Sequence, residues 1–301
     1  AGRRGRVTGR GRPIVVGEVL FDEMPNGVRV LGGAPFNVAW HLAAFGLHPL
    51  MISRVGTDEA GDEVLAAMEA WGMDTSAVQR DQAHPTGTVR VELDGGEPTF
   101  EILPDQAYDH VDADCAARSI SGEVFSILYH GSLIARGEVS RSALERVRGE
   151  AGARAFVDVN LRAPWWNREA VLSFASRSTY LKANAAELEL LMGSPDRGAG
   201  GLFRTECGLD TVIVTRGENG AVVFGSDGTY EAPSPTKVEV ADTVGAGDAF
   251  SAVFILGLVM GWSTEQTLQR ALEFAAAMCT VTGATTRDRE FYLKFEEMEW
   301  W

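Results

Sequence analysis

Residues 242–248, which read DTVGAGD, are the stretch on which the interpretation of this chain depends. A polar, β-prone run, residues 237–241, precedes them, and a strongly apolar segment, residues 249–260, follows. This order predicts a loop that leads into the N-terminus of a buried helix. The first backbone N–H groups of a helix have no partner within it, and the helix dipole adds partial positive charge there. Glycines at positions 245 and 247 would let a ligand approach these groups closely.

Two interpretations of Asp248 are open at this point. An Asp at the start of a helix is common because it satisfies unpaired backbone N–H groups, so the loop could be purely structural. In the second interpretation, the amides of Gly245, Ala246 and Gly247 hold the charge of a phosphoryl group in transfer, and Asp248 takes the proton from an attacking hydroxyl. A resting phosphate would be repelled by that carboxylate, so the second interpretation requires chemistry rather than simple anion binding.

The composition limits the classes of protein to which the chain could belong. It has 301 residues, of which 45% are hydrophobic, which suits one large α/β domain with an appendage or two smaller domains. The net charge of -15 disfavours non-specific binding to nucleic acid, so we expect no nucleic-acid partner. No apolar run approaches the roughly 20 residues that a membrane span needs, so we expect no membrane association.

The N-terminus and the cysteines indicate where the protein works. Residues 1–12 are rich in Gly and Arg without an apolar core, so we interpret them as a disordered or appended tail rather than a secretory signal. Cys115, Cys207 and Cys279 are far apart and set among apolar residues. This pattern predicts buried free thiols in a reducing compartment, and hence a cytoplasmic protein.

The beginning of the chain predicts a strand, a hairpin and a helix. Residues 14–18 (IVVGE) form a short apolar run that is typical of a buried strand, and residues 25–27 (PNG) mark the turn of a small hairpin. Residues 31–37 (LGGAPFN) lead into a helical pattern over residues 38–45. Asn37 lies in the first turn of that helix and would face the same spot as the Gly-Gly pair.

A second hairpin follows a predicted strand, residues 50–55, and an amphipathic helix, residues 59–71. Residues 86–93 and 98–103 read as strands on either side of an Asp-Gly-Gly turn. Because neither hairpin has a helix between its strands, we expect the two to form a small β appendage rather than part of the main sheet.

From residue 124 onward the pattern alternates strands with helices. This predicts a mostly parallel sheet with helices on both faces, in which ligands bind beyond the carboxyl ends of the strands. The predicted strands are residues 125–130, 155–159, 180–183, 211–215 and 221–224. The predicted helices are residues 140–148, 168–176 and 185–192.

Polar side chains follow three of these strand ends, and each has a functional and a structural interpretation. Arg162 could clamp an anionic group, or it could pair with a surface carboxylate. Asn184 and Glu187 could organise Mg²⁺ through water, or they could cap their own helix at a spacing of three residues. Residues 215–220 (TRGENG) could contact a nucleotide, or they could form a simple turn between strands.

Several other chemistries lack their sequence patterns. The chain contains no G-x-x-x-x-G-K-[ST] and no G-x-G-x-x-G after a strand. Its five histidines show no zinc-type spacing, and no G-x-S-x-G nucleophile elbow occurs. Phosphoryl transfer would therefore have to proceed without a P-loop lysine.

Two motifs together resemble the signatures of the PfkB-type (ribokinase-like) carbohydrate kinases. Residues 32–37 (GGAPFN), with Gly46 and Gly56, are similar to the N-terminal signature, and residues 242–248 are similar to the C-terminal one. The resemblance covers residues 14–285. It implies an α/β fold with a central, mostly parallel sheet flanked by helices and a small β lid over the sugar. It also implies transfer of the γ-phosphoryl group of ATP to a sugar hydroxyl with Mg²⁺.

The resemblance assigns the reaction and the acceptor site to individual positions. On this basis residues 13–301 form one kinase domain, with lid segments at about 19–31 and 86–104. Asp248 matches the catalytic base, and the amides of the preceding residues match the anion hole; Arg162 is our additional candidate for holding phosphoryl charge. The positions that hold sugar hydroxyls in the family correspond to Asp22, Gly32, Gly33 and Asn37.

The resemblance also assigns the nucleotide and cation positions. The candidates at the nucleotide site are Asn184, Glu187, Thr215, Arg216, Gly217 and Gly220, and Glu187 would act on Mg²⁺ through water. Asp242 matches a position near a monovalent-cation site in some members, which makes K⁺ a further candidate. One departure is that residues 274–278 (FAAAM) lack the Asn that several relatives carry, which leaves the adenine contacts unassigned.

The expected acceptor is fructose, because residues 158–165 and 95–109 resemble bacterial fructokinases. The main alternative is 2-keto-3-deoxygluconate kinase, which shares a similar Asp-x-Asn-x-Arg run but binds a carboxylate. Glu101 on the second lid strand would repel that carboxylate if it faced inward, whereas Arg90 on the first lid strand would attract it.

Two more alternatives belong to other functional classes. A nucleoside kinase should present aromatic faces to a base, for which Phe100 and Trp40 are candidates. A non-catalytic, sugar-binding relative would have no need for a base such as Asp248.

Lid hairpins with exposed edges often pair between subunits, so we also expect a homodimer through the lid.

Overall fold

The computed structural model describes residues 11–94, 97–193, 198–235 and 240–300. The predicted N-terminal tail, apart from residues 11 and 12, lies outside these ranges, as does most of the predicted β-prone run before residue 242. The turn of the second predicted hairpin also falls largely outside them.

The strands of the described ranges are numbered in chain order. They are β1 Arg12–Val16, β2 Leu20–Glu23, β3 Arg29–Gly32, β4 Leu50–Gly56, β5 Val78–Asp81, β6 Gly87–Asp94, β7 Glu97–Ile102, β8 Phe125–His130, β9 Arg154–Asp158, β10 Tyr180–Asn184, β11 Thr211–Thr215, β12 Ala221–Phe224 and β13 Thr229–Ala232. The helices are α1 Ala34–Ala44, α2 Glu59–Trp71, α3 Ala113–Ile120, α4 Glu138–Glu150, α5 Arg168–Ala175, α6 Ala185–Met192, α7 Ala199–Cys207, α8 Ala246–Met260, α9 Thr264–Met278 and α10 Arg289–Glu296.

The main sheet has nine strands in the order β13-β12-β11-β10-β9-β8-β1-β4-β5. The strands from β11 to β5 are parallel, and β12 and β13 add an antiparallel edge. Because neighbouring parallel strands end at the same edge, the residues after β1, β9, β10 and β11 are brought together. The predicted fold class, a mostly parallel sheet flanked by helices, is confirmed.

Helices cover both faces of this sheet, as expected for buried parallel strands. On one face, β-strand side chains such as Val15, Ile127 and Ile213 pack with α1, α2, α8, α9 and α10. On the other face, neighbouring side chains such as Val16 and Leu128 pack with α3, α4 and α5, and a third cluster packs α6 and α7. The alternation of successive strand residues between the two faces follows from the pleat of a β-strand.

The two predicted hairpins form a separate four-stranded sheet in the order β3-β2-β6-β7. Each hairpin is antiparallel, and a parallel pairing of β2 with β6 joins them. Leu20 and Val89 from this small sheet pack against Tyr108 and Leu133. This arrangement places β2 and β3 directly before α1, close to the carboxyl end of β1.

The cysteines are free, as predicted, but the prediction of uniform burial was wrong. Cys115 is exposed, and Cys207 and Cys279 are half-buried. Cys115 lies in α3, a short helix whose apolar side buries only Ala116, Ala117 and Ile120. In the described ranges, no helix combines the length and apolar character required to cross a membrane.

Candidate active site

The loop before α8 is held in place by its own side chains and by a tight contact with a distant segment. Gly245 caps α8 in the left-handed conformation, with φ of 78°. A Cβ at this position would lie 2.4 Å from Ala284, so only glycine fits. Asp242 accepts hydrogen bonds from the backbone N–H groups of Val244 and Gly283, each at 3.0 Å. Asp242 therefore fixes the loop through its own side chain.

The start of α8 leaves backbone donors available to a ligand. The N–H of Ala246 donates to the Thr243 carbonyl at 3.3 Å, whereas those of Gly247 and Asp248 have no partner among the described residues. A Cβ on Gly247 would lie 3.5 Å from the Lys182 ammonium, so a positive charge stands beside this helix end. The combination favours an anion, because the helix dipole and the ammonium act in the same direction.

Asp248 lies in the first turn of α8 and is half-buried. Its Oδ2 accepts a hydrogen bond from Asn37 Nδ2 at 2.8 Å. The pKa of Asp248 is raised to about 6, chiefly by burial and also by the charge of the nearby Asp158. The hydrogen bond from Asn37 and the charges of Lys182 and Arg162 oppose this rise. A carboxylate with such a pKa is still ionised at neutral pH and can accept a proton.

The residues predicted to hold the sugar converge beside Asp248. A Cβ on Gly32 would lie 3.7 Å from Asp22 Oδ2 and 3.9 Å from Asn37 Oδ1, so the bare glycine leaves room between these two side chains. Asn37 is 5% exposed, and its Oδ1 has no partner among the described residues. Gly33, with φ of 107°, begins α1 and turns Asn37 toward α8.

Glu18 is a site residue that the sequence interpretation missed, because it was read only as the end of the first strand. It follows β1, is 3% exposed, and its Oε2 has no partner among the described residues. The pKa of Glu18 is raised to about 7, chiefly by burial and also by the charge of Asp248. Arg162, which also acts on Asp248, and Arg136 oppose the rise.

A buried ion pair supports the start of α8 and was also missed. Lys182 Nζ contacts both carboxylate oxygens of Asp158, at 2.8 and 3.0 Å. The same carboxylate accepts hydrogen bonds from Ser251 in α8 at 2.8 Å and from Tyr129 in β8 at 3.3 Å. Burial opposes the charge of Lys182, but Asp158 holds its pKa above the ordinary value. The network ties β8, β9, β10 and α8 together beneath the anion site.

Arg162 is exposed, and it forms no ion pair with any residue that the structure describes. Its charge lowers the pKa of Asp22, Glu18 and Asp248, so it stands near all three. Burial leaves the pKa of Asp22 above its ordinary value despite this charge. Within the described ranges, Arg162 therefore lacks the surface carboxylate partner of the alternative interpretation.

Asn184 and Glu187 form a capping box at the start of α6, which was the structural alternative. Asn184 Oδ1 accepts from the Glu187 N–H at 2.9 Å, and Glu187 Oε2 accepts from the Asn184 N–H at 2.8 Å. Glu187 Oε1 also accepts from the N–H of Leu161 at 2.8 Å, which anchors the loop that carries Arg162. Burial raises the pKa of Glu187. The carboxylate retains lone pairs for metal-bound water, so the residue pair fits the predicted role toward Mg²⁺ as well.

The remaining predicted nucleotide residues lie at the next strand end. Thr215 pairs with Asn184 across β11 and β10, so the two candidates are neighbours. Gly217 is exposed in a short 3-10 helix, residues Gly217–Asn219. Arg216 pairs with Glu231 at 2.7 Å. Gly220 is buried, and a Cβ there would lie 2.0 Å from the Ala232 carbonyl, so packing alone accounts for that glycine.

Comparison with known proteins identifies the family of the chain. The family model described as pfkB family carbohydrate kinase matches residues 15–290, most of the chain. The chain belongs to the pfkB family of carbohydrate kinases. It is therefore a phosphotransferase that uses ATP and an alcohol acceptor.

Individual relatives of this kinase act on different acceptors. A fructokinase from Oryza sativa subsp. japonica is 30% identical over 90% of this chain and 87% of its own length. The structure of aminoimidazole riboside kinase from Salmonella enterica, complexed with aminoimidazole riboside and an ATP analog, is 25% identical and has a TM-score of 0.80, covering 94% of this chain and 99% of its own. A double mutant of fructokinase from Vibrio cholerae O395, bound to fructose, ADP and potassium, has 24% identity and a TM-score of 0.81, covering 94% of this chain and 98% of its own. These likenesses establish the fold and the reaction class without selecting the sugar.

The structure of the kinase removes two earlier arguments about its acceptor, one from Arg90 and Glu101 and one from Trp40. Arg90 and Glu101 are opposite each other on β6 and β7, and they form an exposed ion pair at 2.6 Å. Because they neutralise each other, neither supports an argument about a substrate carboxylate. Trp40 is buried, stacks on Trp71 with ring centroids 4.6 Å apart, and donates its indole N–H to Thr286, so it offers no face to a nucleoside base.

Proposed function

We propose that this kinase transfers the γ-phosphoryl group of ATP to a hydroxyl of a neutral sugar, and that fructose is its acceptor. The observation that carries the proposal is the position of the Asp248 carboxylate. It lies at the free N-terminus of α8, held by Asn37, and next to the room that Gly32 leaves. One side of this carboxylate thus faces donors suited to phosphate, and the other faces groups suited to a sugar.

The arrangement suggests how the transfer proceeds. Asp248 takes the proton of the sugar hydroxyl as it attacks the terminal phosphorus. The N–H groups at the start of α8 hold the charge on the phosphoryl oxygens, with Arg162 and the nearby Lys182 ammonium adding positive charge. Mg²⁺, which Glu187 and Asn184 would hold through water, neutralises charge on the phosphates when it is bound. The small sheet would act as a lid that excludes water.

The charge of the acceptor pocket favours a neutral polyol over a sugar acid. Glu18, Asp22 and Asn37 offer oxygen atoms that accept hydrogen bonds from hydroxyl groups. A substrate carboxylate beside Glu18, Asp22 and Asp248 would meet like charges. Arg162 is the observation that favours the second candidate, 2-keto-3-deoxygluconate, because its guanidinium has no partner among the described residues and could pair with a carboxylate.

A panel of acceptors tests this proposal. Release of ADP would be measured with ATP and Mg²⁺ and with fructose, ribose, 2-keto-3-deoxygluconate or adenosine, to obtain kcat/KM for each. We expect the highest value for fructose. A higher value for another sugar would overturn the choice of fructose and leave the phosphoryl transfer intact. The absence of ADP release with all four compounds would exclude each of them, fructose included, as the acceptor.

We further propose that the protein forms a homodimer through the small sheet and works in the cytoplasm. The exposed side chains Val28 and Phe100 lie by the two edge strands of that sheet, 52% and 57% exposed. Exposed apolar edge strands commonly pair with a second chain. The three free cysteines support a reducing compartment.

A further inference from the structure

Three polar side chains outside the candidate active site meet at the base of the β6–β7 hairpin. His84 lies in the connection that enters β6, and Asp105 and His110 lie in the segment that follows β7. Asp105 Oδ1 is 2.7 Å from His110 Nε2 and 3.7 Å from His84 Nε2. All three ligand atoms lie within 4.8 Å of one another. We call these residues the hairpin-base cluster.

The surroundings of His84 direct a lone pair into this cluster. Its Nδ1 lies 3.1 Å from Asp81 Oδ2. The Asp81 carboxylate also accepts hydrogen bonds from the backbone N–H groups of Ala83 and His84, and it pairs with Arg54 at 2.7 Å. It is therefore an acceptor, so Nδ1 of His84 donates to it, and in the neutral ring the lone pair is on Nε2, the atom that lies in the cluster. A carboxylate behind a histidine in this way is the usual support of a metal-bound imidazole.

Of the three carboxylates near the cluster, Asp105 is the one without an Arg or Lys partner among the described residues. Asp81 is paired with Arg54, and Asp109 is paired with Arg136 at 2.6 Å. Asp105, by contrast, has only the two imidazoles as cationic neighbours among the residues that the structure describes. One oxygen of Asp105, Oδ1, lies near the Nε2 atoms of both rings. In the neutral His84 ring, that Nε2 presents a lone pair to the carboxylate.

A metal ion stabilises this arrangement of one carboxylate and two imidazole rings better than protons do. The rings of His84 and His110 are stacked, with centroids 3.5 Å apart and planes 10° from parallel. Protonating both rings would satisfy Asp105, but it would place two like charges face to face. A divalent cation between the nitrogens and the carboxylate supplies the missing charge and leaves both rings neutral.

We propose that the hairpin-base cluster binds a divalent transition-metal ion of the Zn²⁺ type, through two imidazole nitrogens and one carboxylate oxygen, with water completing the coordination. Imidazole and carboxylate together suit such ions. Ligands of one Zn²⁺ ion lie about 3.3 Å apart. Binding would therefore widen the 2.7 Å separation of Asp105 Oδ1 from His110 Nε2 and shorten its 3.7 Å separation from His84 Nε2. Both histidine side chains are 26% exposed and that of Asp105 is 73% exposed, so the ion can reach them and they can adjust.

The position of the cluster gives the ion a structural consequence. The two connections of the β6–β7 hairpin already touch, because the N–H of Ala107 donates to the Pro85 carbonyl at 2.8 Å. An ion held by His84 on one connection and by Asp105 and His110 on the other cross-links them. It would therefore stabilise the base of the small sheet, independently of which sugar the kinase uses.

Co²⁺ provides a visible probe of this site. The protein, free of affinity-tag histidines and of nucleotide, would be titrated with Co²⁺ in the presence of excess Mg²⁺, which occupies sites that prefer oxygen ligands. We expect visible d–d absorption that saturates at one Co²⁺ per chain and is displaced by Zn²⁺. It should be lost in His110→Asn and Asp105→Asn. It should persist in His48→Asn, which removes an exposed histidine elsewhere, and in Cys115→Ser, which removes the exposed thiol.

A thermal measurement provides the second readout. Zn²⁺ at about a hundredfold excess over its Kd should raise Tm by roughly 4 °C in the wild-type protein and in His48→Asn. The Tm of Asp105→Asn, whose exposed side chain can be replaced without loss of the fold, should not respond. Absence of d–d absorption from the wild-type protein, or absorption that is unchanged by the His110 and Asp105 substitutions, would overturn the proposal.

Discussion

Asp248 is the residue whose substitution tests the chemistry most directly. Asp248→Asn nearly keeps the shape of the side chain, and its remaining oxygen can accept the hydrogen bond from Asn37. The substitution removes the proton acceptor. We expect kcat to fall by roughly 10²–10⁴-fold, while sugar binding by calorimetry and the circular dichroism spectrum stay unchanged. Asp210→Asn, an exposed Asp elsewhere on the surface, is the matched control and should keep normal turnover. Near-normal turnover in Asp248→Asn would refute the assignment of the base.

Glu18 makes a prediction about stability that depends on pH. Burial raises its pKa from 4.5 to about 7, so between these values the folded chain holds a proton that the unfolded chain has released. The stabilisation from this proton is complete below pH 4.5 and is lost as the pH rises through 7. At about 1.4 kcal/mol per pH unit, the charged form costs up to about 3 kcal/mol.

Glu18→Gln carries no charge at any pH, so it isolates this effect. We expect its free energy of unfolding in urea to match that of the wild-type protein near pH 5 and to exceed it at pH 8 by up to about 3 kcal/mol. Glu206→Gln, an exposed control, should show no such pH dependence. An equal difference at both pH values would mean that Glu18 is not a buried acid.

The contrast between Asp248 and Glu18 shows what the sequence reveals about single residues. Asp248 and Asn37 could be selected as candidates from the sequence because each stands in a local motif that begins a helix. Glu18 and the Lys182–Asp158 pair were missed, since their surroundings come from strands and helices that are distant in the sequence. Burial of a carboxyl group and its effect on pKa cannot be predicted before the packing is known.

At the scale of elements, two glycines at the start of α8 have different tasks. Gly245 has φ of 78°, and a Cβ would lie 2.4 Å from Ala284. Gly245→Ala should therefore lower the free energy of unfolding by about 2 kcal/mol or more. Gly247 lies within the helix, and its closest neighbour to a Cβ is the flexible end of Lys182 at 3.5 Å.

Gly247→Ala is accordingly the control for stability and the test of the anion site. We expect it to fold at least as stably as the wild-type protein, because Ala favours a helix by about 0.5–1 kcal/mol over Gly. Its methyl group would stand in front of the free N–H groups, so kcat/KM should fall roughly 10²-fold. Urea unfolding and ADP release measured on both variants separate the two roles. Equal losses of stability in both variants would contradict this division.

Helices and strands that carry a clear pattern in their own sequence were predicted well, whereas those without such a pattern were missed. The strands Phe125–His130 and Thr211–Thr215 and the helix Glu59–Trp71 were predicted to the residue, because each carries an unbroken apolar or amphipathic pattern. The strands Val78–Asp81 and Thr229–Ala232 were missed; they are edge strands with only partial burial and no apolar run. The helix Thr264–Met278 was missed although Ser263 caps it, so a usable signal was present.

At the scale of the whole molecule, the sequence did not predict which distant segments would pair with each other. Strand–helix alternation predicted the parallel sheet, and two turn signals predicted two hairpins. The parallel pairing of β2 with β6 that makes one small sheet of them had no local signal. The same holds for the hairpin-base cluster, since the histidines lack zinc-type spacing in sequence and meet only because β6 and β7 return to one place.

The small sheet makes the last prediction, which concerns assembly. Its edge strands β3 and β7 are unpaired in one chain, and Phe100 on β7 is 57% exposed. We expect light scattering after size exclusion to give twice the chain mass of 32.4 kDa at micromolar concentration. Phe100→Glu should shift the protein toward the monomer, because a charge at an apolar contact would be buried without a partner. Val124→Glu, at a position that is 72% exposed and outside the small sheet, should leave the mass unchanged. A wild-type monomer at all concentrations, or a dimer that both variants keep, would place the interface elsewhere or exclude it.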